Sequence, residues 1–286
     1  MINNPKIFES HTIFATLACL SLVGFSTDAH CWGADGHTAI GILAIEQLQP
    51  DALRELESIV NPLTKQAMAE ACNWPDVIRE TEEGKWSSPL HYINIPRDAE
   101  AYSESRDCPE QPGHFAQTKR PAHHCVTEAI KYFAVGLANQ QATGEQRWQS
   151  FAWLCHLVGD LNQPLHAGFA DDRGGNNIEV IFEGKPVDLH HFWDHALIDQ
   201  RAGSWQYLVG QLSVFPPHAA DSHWSPGMVN EWTNESHQLA KEYAYPATTN
   251  IDEIFARQSW ELIQQQISKA AFNLALIINS ELKPLD

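Results

Sequence analysis

Two histidine/aspartate pairs repeat one spacing in this chain: His156 with Asp160, and His190 with Asp194. Residues four apart on a helix project from the same face, so each imidazole and its carboxylate can reach a single ion. One such pair alone more often means a helical surface ion pair, which is worth little. Here there are two, and His166 follows the first of them after Gln163-Pro164-Leu165. Imidazole nitrogen and carboxylate oxygen are donors that zinc accepts, in a nearly tetrahedral shell with an open position when the ion is catalytic. The pattern points to a multinuclear zinc site.

Three shorter fragments carry the same donor types. Asp76 follows Trp74-Pro75, where capping of a helix N-terminus is the competing role. His91 opens the extended stretch His91-Tyr92-Ile93-Asn94-Ile95-Pro96, where an ordinary half-buried histidine is the alternative. The third is Trp32-Gly33-Ala34-Asp35-Gly36-His37. If the chain is cut before Trp32, the new α-amine, with a reference pKa of about 7.7–8.0, loses its proton far more readily than a lysine. With its own carbonyl it can chelate an ion that His37 also reaches. Taken alone, that fragment reads equally as a frayed terminus leading into a helix cap.

Charge sharpens the argument. Eighteen Lys and Arg against 36 Asp and Glu leave a net −18, and no basic stripe interrupts the acidic excess. Proteins that hold nucleic acid by side-chain charge present a basic face. If this chain acts on phosphate, the positive charge must come from bound cations, and fifteen histidines are available to hold them.

These residues need helices to position them. Apolar residues recur at helical spacing over Thr38–Leu48, Asp51–Val60, Val126–Asn139, Arg147–Leu161 and Asp252–Asn279, with a short helix expected from Asp76 and another after Leu189. Pro164 disfavours helical backbone at Gln163, so the helix bearing His156 should end there and let His166 turn back. Asn177–Phe182, then Glu183-Gly184, then Lys185–Asp188 reads as a β-hairpin. The expected fold class is all-α: a single compact multi-helix domain over residues 32–286 with a small β-hairpin. No linker or fixed-period repeat argues for a second domain.

Residues 1–31 differ from the rest. Lys6 lies in a polar start, Ile13–Phe25 is apolar, and Ala29-His30-Cys31 offers a small-residue cleavage site. This is the pattern of a signal peptide cut after Cys31. The apolar stretch falls short of the roughly 20 residues needed to span a bilayer, and Asp28-Ala29-His30 is a poor lipidation signal. Cleavage leaves Cys72, Cys108, Cys125 and Cys155 in an oxidising compartment. Of three pairings, Cys108–Cys125 is favoured because it closes a Pro-rich loop. Cys72–Cys155 competes with two small buried thiols.

In order, Trp-Gly-x-x-Gly-His, Trp-Pro-Asp, His-Tyr-Ile-Asn, His-x-x-Gly-Asp-x-x-Gln-Pro-Leu-His and Leu-His-x-x-Trp-Asp resemble the S1/P1 nuclease family, which is related in fold to zinc-dependent phospholipase C. The resemblance runs from Trp32 to Asp194 and extends to Asp172–Asn176 before the hairpin. It implies three Zn²⁺. The first is held by Asp76, His91, His156 and Asp160; the second by the amine and carbonyl of Trp32 with His37, Asp160 bridging to it; the third by His166, His190 and Asp194. It implies hydrolysis of single-stranded DNA and RNA to 5′-phosphorylated products and 3′-nucleotidase activity on 3′-mononucleotides; the leader pattern adds the expectation of a secreted or periplasmic protein without stable membrane insertion, and a monomer is expected. Asp76, Asp160 and Arg79 are the expected catalytic residues, with Arg79 steadying the pentacovalent phosphorus during in-line attack. Tyr92 and Asn94 are expected to bind the base by stacking and hydrogen bonding, although a core aromatic is the plain alternative for Tyr92. His123, His124, His191 and His195 are not needed as ligands.

Two rivals remain at this stage. A zinc-dependent phospholipase C acting on phospholipid head groups would use the same ligands, but the His-Tyr-Ile-Asn and Gly-Gly-Asn segments lean towards nucleases. A structural zinc protein would favour closed, cysteine-rich shells instead.

Overall fold

Helix α6 is the element around which the others assemble, for a reason visible in its side chains: every residue from Ser150 to Asn162 is buried. A helix enclosed on all sides has neighbours on all sides, and here they are α1, α3, α5 and α11. The chain is represented by a computed structural model that describes residues 32–110, 121–212 and 223–282. The expected leader and its cleavage point lie outside the described residues.

The helices are α1 (Ala34–Ile45), α2 (Pro50–Ile59), α3 (Lys65–Arg79), α4 (Glu104–Asp107), α5 (Val126–Ala138), α6 (Gly144–Asn162), α7 (Leu189–His191), α8 (Leu197–Arg201), α9 (Trp205–Gln211), α10 (Gly227–Leu239) and α11 (Glu253–Glu281). Strands β1 (Glu179–Phe182) and β2 (Lys185–Asp188) pair antiparallel, with Glu179 opposite Asp188 and Phe182 opposite Lys185. Glu183 and Gly184 form the turn, both at positive φ. The fold is all-α with this one hairpin, as expected, and among the described residues no helix is long and apolar enough to cross a membrane.

Local chemistry explains where the main helices begin. Thr143 and Gln146 form a reciprocal capping box at the start of α6. Asp252 caps α11 by accepting from the Phe255 amide at 2.8 Å. Gln163 takes the extended conformation that Pro164 demands, so α6 stops at Asn162 and a 3₁₀ turn over Pro164–Ala167 follows.

One expected element is corrected. No helix starts at Asp76; that residue lies in the last turn of the 15-residue α3, which Thr64 caps through the Ala67 amide. Pro75 sits inside the helix, where it forfeits one ladder hydrogen bond, so its presence marked an interior position and not a start. Asp76 is therefore no N-terminal cap. Lys85–His91, α9 and α10 were not anticipated: the first two span only seven residues each, too short to show a helical period, and apolar residues are sparse in α10.

Both disulfides form: Cys108–Cys125 and Cys72–Cys155. The second, the less favoured of the two from sequence, ties α3 to α6 across 83 residues of chain, immediately beside His156.

Candidate metal centre

Four elements deliver the first group of donors. α6 presents His156 and Asp160, α3 presents Asp76, α1 presents His37, and His91 ends the 3₁₀ turn Lys85–His91. His91 Nδ1 lies 3.0 Å from His156 Nε2, 3.1 Å from Asp160 Oδ2 and 3.7 Å from Asp76 Oδ1. His156 Nε2 is 3.4 Å from Asp76 Oδ1 and 3.3 Å from Asp160 Oδ2. His37 stacks on His156 with ring centroids 3.9 Å apart and approaches the other oxygen of Asp160, Oδ1, at 3.3 Å.

The second group forms beyond the end of α6. His190 Nε2 lies 3.1 Å from Asp194 Oδ2 and His166 Nε2 lies 3.9 Å from the same oxygen. Asp194 falls in a wide π-helical turn, Phe192–Ala196, between α7 and α8. Its Oδ1 accepts from Gln163 Nε2 at 2.7 Å. Sequence reasoning gave Gln163 no role; its place between Asp160 and His166 was the signal, because a buried amide there must find a partner.

The second nitrogen of three histidines fixes what the first can do. His156 Nδ1 faces the Cys72 carbonyl at 2.8 Å, His166 Nδ1 the His91 carbonyl at 2.6 Å, and His190 Nδ1 the Gly174 carbonyl at 2.7 Å. A carbonyl only accepts, so each Nδ1 carries a proton and Nε2 is left as the nitrogen that can face an ion. Backbone carbonyls orient metal-binding histidines in this way. Meanwhile His37 Nε2, His166 Nε2, Asp160 Oδ1 and Asp194 Oδ2 are buried without a hydrogen-bond partner of acceptable geometry. Burying such atoms costs free energy that a hydrogen bond or an ion must offset. The donor atoms fall into three groups, each within 4.8 Å: His37, Asp76 and His156; His91, His156 and Asp160; His166, His190 and Asp194. Donor types, tautomers and stranded lone pairs all fit divalent zinc.

The electrostatics agree. Burial pushes the His37 and His91 imidazoles down, His91 to about 4, so both stay neutral and ready to donate a lone pair. For Asp160, burial alone would raise the pKa, but His156, His166, His37 and His91 outweigh it and hold the carboxyl well below its usual range. The same balance operates at His190, where burial is overcome by Asp194 and the imidazole rises to about 9. Asp194 is correspondingly lowered.

Close approach needs missing side chains. Gly159 lies between His156 and Asp160, and a Cβ there would stand 2.8 Å from His37 Nδ1. Its carbonyl accepts from the Trp32 indole at 2.8 Å. Thus Gly159 lets α1 reach α6 and pins Trp32, which is fully buried, beside the first group. The next residue, Gly33, donates its N–H to the Asp194 carbonyl at 2.8 Å, tying the start of α1 to the second group.

A cleft of about 340 Å³ opens onto His91, His166 and His190. Arg79, Tyr92 and Asn94 also line it. Arg79 Nη2 reaches Asp76 Oδ1 at 3.1 Å with both side chains mostly buried. Tyr92 is 39 % exposed, which excludes the core-aromatic reading. His123 faces the Cys108 carbonyl, and neither it nor His124, His191 or His195 belongs to a donor group.

Comparison with known proteins decides the family. The sequence pattern described as S1/P1 Nuclease matches residues 32–283. The chain belongs to the S1/P1 nuclease family. Among its relatives, Endonuclease 5 of Arabidopsis thaliana is 29% identical over 275 residues, covering 88% of this chain and 90% of the relative. Endonuclease 4 of the same plant is 26% identical, covering 91% and 92%. Nuclease P1 of Penicillium citrinum is 27% identical, covering 87% and 97%. Membership makes the chain a nuclease-type hydrolase, and all the donor groups of this family member lie inside the matched span.

Proposed function

We propose that residues 32–286 form a zinc-dependent phosphodiesterase that cleaves single-stranded DNA and RNA to 5′-phosphorylated products and removes 3′-phosphates from mononucleotides. The observation that carries the reading is the clustering of three His/Asp donor groups, two of which reach one open cleft through His91, His166 and His190. Three Zn²⁺ would be held by Asp76, His91, His156 and Asp160; by His37 with the amine and carbonyl of Trp32; and by His166, His190 and Asp194. Bound there, zinc supplies Lewis acidity towards phosphoryl oxygens and water at neutral pH.

The protein's own groups do the positioning. Asp160 directs its two oxygens to different histidines, His37 and His91, and so would serve two neighbouring ions with one carboxylate. Arg79, held against Asp76, points a guanidinium into the cleft for the equatorial oxygens of a phosphate in displacement. Tyr92 offers an exposed ring and Asn94 an amide to an unstacked base. A duplex would have to open to place a base there, which favours single strands.

Export with cleavage after Cys31 completes the scheme. The family match begins at Trp32, and two disulfides suit an oxidising compartment. The deciding experiment uses protein beginning at Trp32 and compares single-stranded RNA and DNA, duplex DNA, a 3′-mononucleotide and phosphatidylcholine. Preference for single strands, abolished by chelator and restored by zinc, is expected. Preference for the lipid would move the same metal site to phospholipase chemistry. One extra residue before Trp32 should cost one zinc and most of the activity.

A further inference from the structure

The turn that orients His190 also carries a cation with no part in the hydrolytic scheme. Arg173, Gly174 and Gly175 take φ values of 57°, 61° and 85° in succession. Gly174 is obligatory: a Cβ would stand 2.3 Å from the Leu165 carbonyl oxygen, and its own carbonyl holds His190. The turn is fastened on both sides, by the Gly175 amide on Asp172 Oδ1 at 2.8 Å and by Asn176 Nδ2 on the Arg173 carbonyl at 2.8 Å. Glycine would suit position 173 as well, yet an arginine occupies it in a conformation that costs L-residues energy.

That arginine is exposed and lines the same cleft as His166, His190 and Tyr92. The other arginine and the lysine of the cleft are engaged, Arg79 with Asp76 and Lys85 with Glu82. Among the described residues no carboxylate forms an ion pair with Arg173. In a chain of net charge −18, a cation on the cleft wall without an acidic partner is matched to an anionic ligand.

We propose that Arg173 binds a second phosphate of the substrate strand, a neighbour of the one being cleaved, and so makes the enzyme prefer oligonucleotides over mononucleotides. This rests on the nuclease reading above. A guanidinium fork grips phosphate oxygens in pairs, and one phosphate contact on a single strand contributes about 0.7 to the salt slope of binding.

The test compares R173G and R173K with the wild type, each zinc-loaded. R173G removes the charge and relieves the backbone, so it should melt no lower than the wild type. Its KM for a short oligonucleotide should rise about tenfold with kcat unchanged, while kcat/KM for a 3′-mononucleotide changes less than twofold. Binding of a cleavage-resistant phosphorothioate oligonucleotide, followed by fluorescence anisotropy, should weaken in parallel, with the salt slope reduced by about 0.7. R173K should keep that slope. Equal losses on both substrates would overturn the proposal by showing that Arg173 acts through the fold, and an unchanged oligonucleotide KM would overturn it outright. Wild-type protein that cleaves neither substrate would sink the nuclease reading instead, and the anisotropy would still report on Arg173.

Discussion

Asp160 faces His37 with one carboxylate oxygen and His91 with the other, Oδ1 at 3.3 Å from His37 Nε2 and Oδ2 at 3.1 Å from His91 Nδ1. A single fully buried side chain thereby joins two donor groups brought in by different elements. Asp160→Asn keeps the volume but replaces one oxygen with an amide that donates. Zinc content should fall by two ions, and kcat/KM should drop by at least about 100-fold, more than the 10–100-fold that losing an outer-shell partner costs. Metal analysis on the purified variant checks it, and full zinc occupancy would show that the two groups do not depend on a shared carboxylate.

Gln163 is the outer-shell partner of the second group. Gln163→Leu leaves Asp194 Oδ1 without its hydrogen bond and should weaken one zinc by about 10–100-fold. The chelator concentration that halves activity should fall accordingly, with little change in the far-UV spectrum.

Gly159→Ala tests the approach of α1 to α6. The added methyl would stand 2.8 Å from His37 Nδ1, so His37 must shift or the helices must part. A destabilisation of about 1–3 kcal/mol is expected from overpacking, together with loss of the zinc that His37 holds. Chemical unfolding and zinc analysis measure the two effects separately; a variant with unchanged zinc content would show that His37 is not needed at full occupancy.

The His190–Asp194 pair makes a pH prediction for the metal-free protein. His190 is raised to about 9 because Asp194 outweighs the burial that would lower it. Its contribution to stability is therefore complete below the ordinary imidazole pKa of 6.5 and is lost as pH rises through about 9. Asp194 is lowered, so its own contribution is present above 3.8 and disappears on further acidification. The melting temperature of chelated protein should decline between pH 6.5 and 9, whereas zinc, by occupying His190 Nε2, should flatten that decline and release a proton on binding. Parallel melts with and without zinc give the answer, and a flat profile for the chelated protein would contradict the pairing.

Cys72 and Cys155 bracket the site as well as the fold. Cys72 is cross-linked to the residue preceding His156, offers its carbonyl to that histidine, and lies one turn before Asp76. Replacing both cysteines by alanine should cost about 2–5 kcal/mol and loosen the first donor group. Zinc affinity should fall more than in the corresponding Cys108/Cys125 double variant, neither of whose cysteines adjoins a donor residue in the chain.

The paired donors were legible in the sequence because metal chemistry restricts residue type and helix geometry restricts spacing, whereas His37, Asp76 and His91 rested on the family resemblance. His156 with Asp160, and His190 with Asp194, needed only the four-residue period, and Pro164 foretold the turn that returns His166. The same local rules located α6, α11 and the hairpin. They failed at Asp76, where a proline was read as a helix start although α3 tolerates it in its interior. Three things depended on the tertiary structure. Which carbonyl each imidazole meets is decided by segments 16 to 84 residues away; Gln163 gains its role only when α6 ends opposite Asp194; and the clearance at Gly159 exists only because α1 crosses there. Spacing along one chain sets which side chains share a face, while tautomers, shared carboxylates and outer-shell bonds are set by the backbone of other elements, and these only packing brings near.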